Sequence, residues 1–403
     1  MSMGEFWRIF QNEWIKLIRR RRFVVVLLLG LALISFYTYA RYHEDQNQKH
    51  YNDPATQIQM TDSQIKRTQN QLDTDKNLTA EQKKLLQEQI IGMKQSKEQI
   101  GKESLQIPPT KADIEQKIEH IKSSIALLLP DQAAEKGQLQ IQLVLAEYQL
   151  THPPEIQRNS LSSWDAIQDF LGVGAQLFIP LLCVLLVADM VSGEQTGGTI
   201  KLLLTRPASR VKILFAKYMT AIIGAICIHI IILGVLAGGL LAVFGTHGAT
   251  NPTVVGVKYE KVSVVKDDGR IGTELAANPT DAKVISMRSF TIQSILLTLL
   301  STIGMCGLGF FCSVLVRSAA VSTGISIAVI IIGTIIINAM RGTTWLRYFL
   351  TPHFDLPNAW TGSLSRNFGY PMSLSQSLII TAVWVVGMYA IGHFIFKRRD
   401  VLA

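Results

Sequence analysis

Few residues in this 403-residue chain are of types and spacings that could do chemistry. A phosphate-cradling loop needs Gly, four residues, then Gly-Lys-Ser/Thr, but the Gly101-Lys102 pair is followed by Glu103, so the chain has no such cradle. No HExxH, paired-Cys or GxSxG motif occurs and the His residues are scattered. Metal and nucleophilic catalysis therefore have no support, and no catalytic, cofactor or metal residues are assigned. Ion-coupled transport would place ionisable groups inside apolar runs, where they are costly and are kept for ion pathways. Here only His229 and His393 qualify, and a lone His such as His229 reads as a hydrogen-bonded core residue. Gln176, Gln293 and Asn338 are polar residues in apolar runs, suited either to a translocation path or to hydrogen bonds between helices. The remaining feature is "GEQTGGTIKLLLTRPASRVKILFAKY", residues 193–218, a basic, glycine-rich interruption between two apolar runs. Thr199 is placed to cap a short helix carrying Ile200, Leu202, Leu203 and Leu204, which Pro207 ends. Such a helix is apolar where a loop should be polar, so either the bilayer surface or a partner must cover it.

The elements that hold these residues belong to a membrane protein. The chain is 48% hydrophobic and 17% charged, against about 25% charged residues in soluble proteins. Apolar segments run over Phe23–Ala40, Phe170–Ala188, Tyr218–Phe244, Phe290–Val316, Ala319–Met340 and Ser377–Phe396, each near the ~20 residues that cross a bilayer as a helix. The fold expected is an all-α polytopic membrane protein with six spans. The first is too long, and lacks the small-residue site, to be a cleaved signal peptide. Residues 1–22 carry six Lys or Arg against two Glu, which places the amino terminus in the cytoplasm by the positive-inside rule. Six crossings return Lys397, Arg398 and Arg399 to the same side. The basic loop 190–217 and Arg317 fall there too, whereas residues 41–168 carry 15 Lys or Arg and 18 Asp or Glu. The pI of 9.3 thus reflects topology rather than nucleic-acid binding. Cys183, Cys227, Cys306 and Cys312 lie in or beside spans, as small apolar packers without a disulfide framework.

The expected organisation is an interfacial helix over 1–22, spans at 23–40, 169–189 and 218–245, two spans within 289–340, and a sixth at 376–396. Between them lie an outer region at 41–168, the cytoplasmic segment 190–217, outer loops at 246–288 and 341–375, and a cytoplasmic tail at 397–403. In the first helix Trp7 and Trp14 suit the membrane interface, and Arg19, Arg20, Arg21 and Arg22 suit its anionic surface. The outer region reads as a helical hairpin or small bundle, with capping boxes at Thr61–Gln64 and Thr79–Gln82. Breaks are expected at Pro108, Pro109 and Pro130, and an apolar stripe at Ile114, Ile118, Ile121 and Ile125. It serves either as a solvated spacer or in gating or partner binding. "TVVGVKYEKVSVV" in the second outer loop alternates like a strand, and the third loop, rich in aromatics and Pro, suits a re-entrant or interfacial cap.

Taken together, Glu194, Gly198, Thr199, Leu202 to Leu204, Pro207, Ser209, Arg210 and Lys217, set between spans two and three, resemble the pattern of ABC type-2 permeases, the membrane subunits of bacterial ABC exporters. The six spans, the amphipathic amino-terminal helix and the "FKRRD" tail fit the same family. The long insertion after the first span and the loop after the third look like those of sodium- or antibiotic-export permeases without fixing a substrate. The resemblance implies a multi-pass protein of the bacterial plasma membrane with both termini cytoplasmic, in which Glu194, Gly198, Thr199, Leu202, Leu203, Leu204, Pro207 and Arg210 form the coupling element for a separate ABC ATPase. ATP and Mg would then bind that partner and no cofactor this chain. A second permease copy or paralogue and the lipid bilayer complete the implied partners, with no nucleic acid. An alternative is a membrane-anchored sensor or scaffold whose outer helical region binds a ligand or partner.

Overall fold

Apolar runs bounded by charge fold here into long helices, because a chain in hydrocarbon must satisfy its backbone hydrogen bonds internally. The computed structural model describes residues 3–74, 79–103, 110–129, 131–152, 161–198, 209–265 and 271–398. Among them, six helical stretches are long and apolar enough to cross a membrane: Arg21–Tyr51, Ser163–Thr196, Arg210–Phe244, Met287–Leu315, Ala319–Ala339 and Leu374–Arg398. In element terms, α1 is Met3–Arg19, α2 Arg21–Asn52, α3 Pro54–Thr74, α4 Ala80–Glu103, α5 Lys111–Leu127 and α6 Ala133–Thr151. The second span is α7 (Ser163–Val173), a π-turn (Gly174–Phe178) and α8 (Ile179–Val187), followed by the short α9 (Ser192–Thr196). The third to fifth spans are α10 (Arg210–Phe244), α11 (Met287–Leu315) and α12 (Ala319–Ala339). Two short helices, α13 (Leu356–Thr361) and α14 (Ser363–Phe368), precede the sixth span, α15 (Leu374–Arg398).

Spans two and four are central. Sixty-one per cent of the apolar window of each is buried, against 17% in spans one, five and six. Gly309 of α11 admits the backbone of Val184, since a Cβ there would lie 3.4 Å from the Val184 Cα. The π-turn has a local cause in Pro180, which has no N–H to return to the carbonyl of Gln176. Ile179 N–H instead bonds back to the Gly174 carbonyl, and the Gln176 carbonyl accepts the Thr334 hydroxyl of α12 at 3.3 Å.

At the end of the bundle away from the termini, α2 continues to Asn52, well past the apolar stretch that ends at Ala40. The α3–α4 hairpin is joined by Lys97 to Asp62 at 2.6 Å. In the α5–α6 pair Ile114, Ile118 and Ile121 pack on Ala146, with Ile125 alongside. Thr79 and Gln82 form the expected capping box. Thr61 does not cap: it lies inside α3 with its hydroxyl on the Gln57 carbonyl, and the helix starts earlier, where Asp53 accepts the Thr56 N–H. Pro108, Pro109 and Pro130 fall outside the described residues. An all-α description needs one correction. Residues 252–286 carry β1 (Pro252–Val255) paired antiparallel with β4 (Lys283–Ser286), and β2 (Lys258–Val265) paired antiparallel with β3 (Ile271–Asn278). β-branched residues and a Val-Lys-Tyr-Glu alternation suit a half-buried ladder better than a helix. Helix α6 seats on this layer, where a Cβ at Gly137 would overlap the Ala277 backbone.

Candidate functional site

Helix α1 exists because Phe6, Phe10, Trp14 and Leu17 recur on one face. Its rings form a ladder, with Phe10 and Trp14 6.3 Å apart and Phe6 5.6 Å from Phe215 of α10. Contacts climb α1 and α10 in step, from Glu5–Lys212 at 2.5 Å, through Glu13–Lys217, to Leu17 against Gly224. Gly224 is what permits the close crossing, because a Cβ there would overlap the Leu17 side chain.

Within this crossing lies a buried ion cluster. Lys217 and Glu13 are both 2% exposed and Glu194 is 6% exposed. The Lys217 ammonium donates to Glu13 Oε2 at 2.5 Å and to Glu194 Oε1 at 2.7 Å. Lys16 adds a second cation, 2.7 Å from Glu13 Oε1 and 3.3 Å from Glu194 Oε1. Two lysines thus face two carboxylates, which is the condition for holding such charges out of water. Burial pushes the Glu13 carboxyl up, but Lys217 and Lys16 outweigh it and hold it below its usual range. For Lys16 burial pushes down, and Glu13 and Glu194 hold the ammonium above its usual value. Beside this cluster Asp189 takes Arg20 and Arg22, each at 3.2 Å.

The segment carrying Asp189 and Glu194 is also pinned to spans four and five. The Ser313 hydroxyl accepts the N–H groups of Val191 and Ser192 at 2.9 and 3.1 Å. Ser322 donates to the Ala188 carbonyl at 2.6 Å. Thr196 donates to the Arg317 carbonyl and accepts Ala319 N–H at 3.2 and 3.1 Å. Gly198 then turns the chain at φ +69°, a conformation that favours glycine. Ser209 restarts the helix by accepting Lys212 N–H, and Arg210 follows, exposed, in the first turn of α10. A displacement of this segment would therefore be felt by α1 and by spans two to five.

Of the residues singled out in the sequence, Glu194 sits in the cluster, with Gly198 and Arg210 at the two ends of the connection. Thr199, Leu202, Leu203, Leu204 and Pro207 lie outside the described residues. Trp7 is 56% exposed, whereas Trp14 is half-buried in the α1 ladder. Arg19 and Arg21 are exposed, but Arg20 and Arg22 are engaged by Asp189, so the four arginines do not act as one surface patch. Gln176 and Asn338 are brought together at the opposite end of the bundle, lining a cavity of ≈ 20 Å³ with Asp355. Gln176 approaches the Asp355 carboxylate at 3.5 Å and Asn358 donates to it at 2.6 Å. Burial pushes the Asp355 carboxyl up to about 6, against the opposing pull of the Asn358 and Gln176 amides. Gln293 is not part of that group: it is exposed and bonds Ser289 on its own helix. His229 is buried, with Cys183 Sγ 3.9 Å away.

Glu13, Lys16 and the Ser313, Ser322 and Thr196 hydroxyls escaped the sequence reading. Glu13 had a signal, being seven residues from Phe6 and so on the apolar face of α1, where a carboxylate needs a buried partner. The serines had none.

The family model describing ABC-2 family transporter proteins matches residues 7–401, which takes in most of α1, the ion cluster and all six spans. The chain belongs to the ABC-2 transporter family. An uncharacterized Bacillus subtilis (strain 168) protein, YhcI, is 23% identical over 266 residues, covering 64% of this chain and 75% of that one. ABC-2 permeases are membrane components that work with ATPase subunits in ABC transporters. As a member of that family the chain is a multi-pass membrane protein, not itself the catalytic subunit.

Proposed function

We propose that this chain is the permease subunit of an ATP-driven exporter, and that residues 189–217 are where a separate ATPase subunit engages it. The observation that carries the reading is the meeting of Glu194 and Lys217, on either side of 199–208, in one buried cluster with Glu13 of α1. A partner holding the Leu202–Leu204 stretch would act on both ends of that connection at once. ATP and Mg would be bound by the ATPase, and the pull would be useful if the segment fits two ATPase states unequally. The basic segments at 1–22, 190–217 and 397–399 support a cytoplasmic position for this end. Trp7 then faces the headgroup plane, and the α3–α6 helices with their β-layer lie outside the cell. Two such permeases with two ATPases form the assembly, and the cavity between Gln176, Asn338 and Asp355 belongs to the outer part of the path.

Leu203→Asp tests the docking directly, because it places a charge in what should be an apolar contact. The full chain purified from native membranes should carry a Walker-motif ATPase, identified by mass spectrometry. The variant should insert at the wild-type level and lose that ATPase. Wild-type yield with an unchanged ATPase ratio would mean that the segment is not the coupling element.

A further inference from the structure

Where α1 turns into the first span, the chain forms a groove of ≈ 770 Å³. Lys16 and Arg19 to Arg22 make one wall, and Asp189 and Glu194 stand opposite. Five cations meet two carboxylates, and both carboxylates are already engaged: Glu194 by Lys16 and Lys217, Asp189 by Arg20 and Arg22. Arg19 and Arg21 remain exposed and have no ion-pair partner among the described residues. The groove therefore offers two uncommitted guanidinium groups, which favour the planar, two-toothed recognition of a phosphate.

The apolar surroundings define the rest of the ligand. Ile15 lines the groove and is 51% exposed, and nearby Ile18, Val24 and Val25 are 41%, 50% and 51% exposed. Val24 and Val25 open the first span, so this aliphatic surface is at the edge of the hydrocarbon layer. A free phosphate would use the arginines and leave that surface bare, whereas an amphiphile would use both.

We propose that this groove holds the headgroup of an anionic membrane phospholipid, with Arg19 and Arg21 on its phosphate and its acyl chains along the surface to which Ile18, Val24 and Val25 contribute. Asp189 sets the selectivity. By occupying Arg20 and Arg22 it limits the positive charge left for the lipid, and by facing the arginines across the groove it joins the headgroup's site to the segment bound by Ser313 and Ser322. The lipid is thus a structural ligand of the α1–span one elbow, and its binding needs no ATPase.

The test uses the full-length chain in detergent and native mass spectrometry with short-chain phosphatidylglycerol, phosphatidylcholine and inorganic phosphate as probes. Phosphatidylglycerol should bind in preference to phosphatidylcholine and resist competition by inorganic phosphate. Arg19→Gln/Arg21→Gln should weaken it about 30-fold, from the contribution of two basic residues at a membrane surface. Arg8→Gln/Lys397→Gln, which removes the same charge from exposed positions elsewhere, should leave binding unchanged. Thermal unfolding without lipid should be the same for both double variants, since Arg19 and Arg21 make no internal ion pair among the described residues. Equal losses in the two double variants would reduce the effect to diffuse attraction. Displacement by inorganic phosphate would make the groove a simple anion site, and absence of any preference over phosphatidylcholine would remove the site altogether. Each of these results overturns the proposal.

Discussion

The ion pairs at the two ends of this molecule differ in kind. Beneath the spans, Lys217, Glu13 and Glu194 are shut away from water, and each charge depends on the others. In the α3–α4 hairpin, Lys97 and Asp62 sit 2.6 Å apart with 38% and 43% of their side chains exposed. A similar distance therefore carries different consequences. The exposed pair exchanges one set of water contacts for another, whereas the buried cluster has no such alternative. Buried ion clusters are seldom the most stabilising way to fill a space. What this one does provide is a fixed link between α1, the Asp189–Glu194 segment and the third span.

The largest effect should come from Lys217→Met, which leaves Glu13 and Glu194 buried with Lys16 alone to answer them. It should destabilise the chain by about 3–5 kcal/mol, read as a fall in unfolding temperature in detergent. Adding Glu13→Gln and Glu194→Gln to it should recover most of that loss, because no buried carboxylate is left unpaired and the Lys16 ammonium, on a side chain 38% exposed, keeps contact with water; failure to recover would mean that Lys217 acts through packing alone. Gly224→Ala comes next. It pushes a methyl group into Leu17, which is 1% exposed, and should cost about 1–3 kcal/mol while loosening α1, seen as faster amide exchange over residues 6–17. Lys97→Met in the α3–α4 hairpin is the smallest, with about 0–1 kcal/mol expected. If it matched Lys217→Met, the contrast between the two ends would fail.

The sequence made the spans readable because their signal is length and apolarity, and it made α5 readable because Ile114, Ile118 and Ile121 repeat at helical spacing. The π-turn was not foreseen, although Pro180 carried its cause, since a proline within a span can be met in several ways. The site was only half legible. Glu194 and Lys217 stood out by charge, but their pairing across 23 positions with Glu13 depends on how α1 crosses α10, and that is set by the gap at Gly224. Ser313 and Ser322 were invisible because a serine in a span has no pattern of its own. Gln176 and Asn338 suit either a translocation path or hydrogen bonds between helices by sequence, and what gathers them is Asp355, in a loop where no periodicity points to a buried carboxylate.

The central claim is that the buried cluster transmits movement of the segment proposed to engage the ATPase to the spans. Electron–electron spin resonance distances between labels at Arg8 in α1 and Ile325 in the fifth span test it, measured in the assembled transporter with and without ATP. In an otherwise wild-type chain, ATP should shift this distance. In the Lys217→Met/Glu13→Gln/Glu194→Gln chain the ATPase should still co-purify and the shift should vanish. An ATP-dependent shift of wild-type size in that chain would contradict the account.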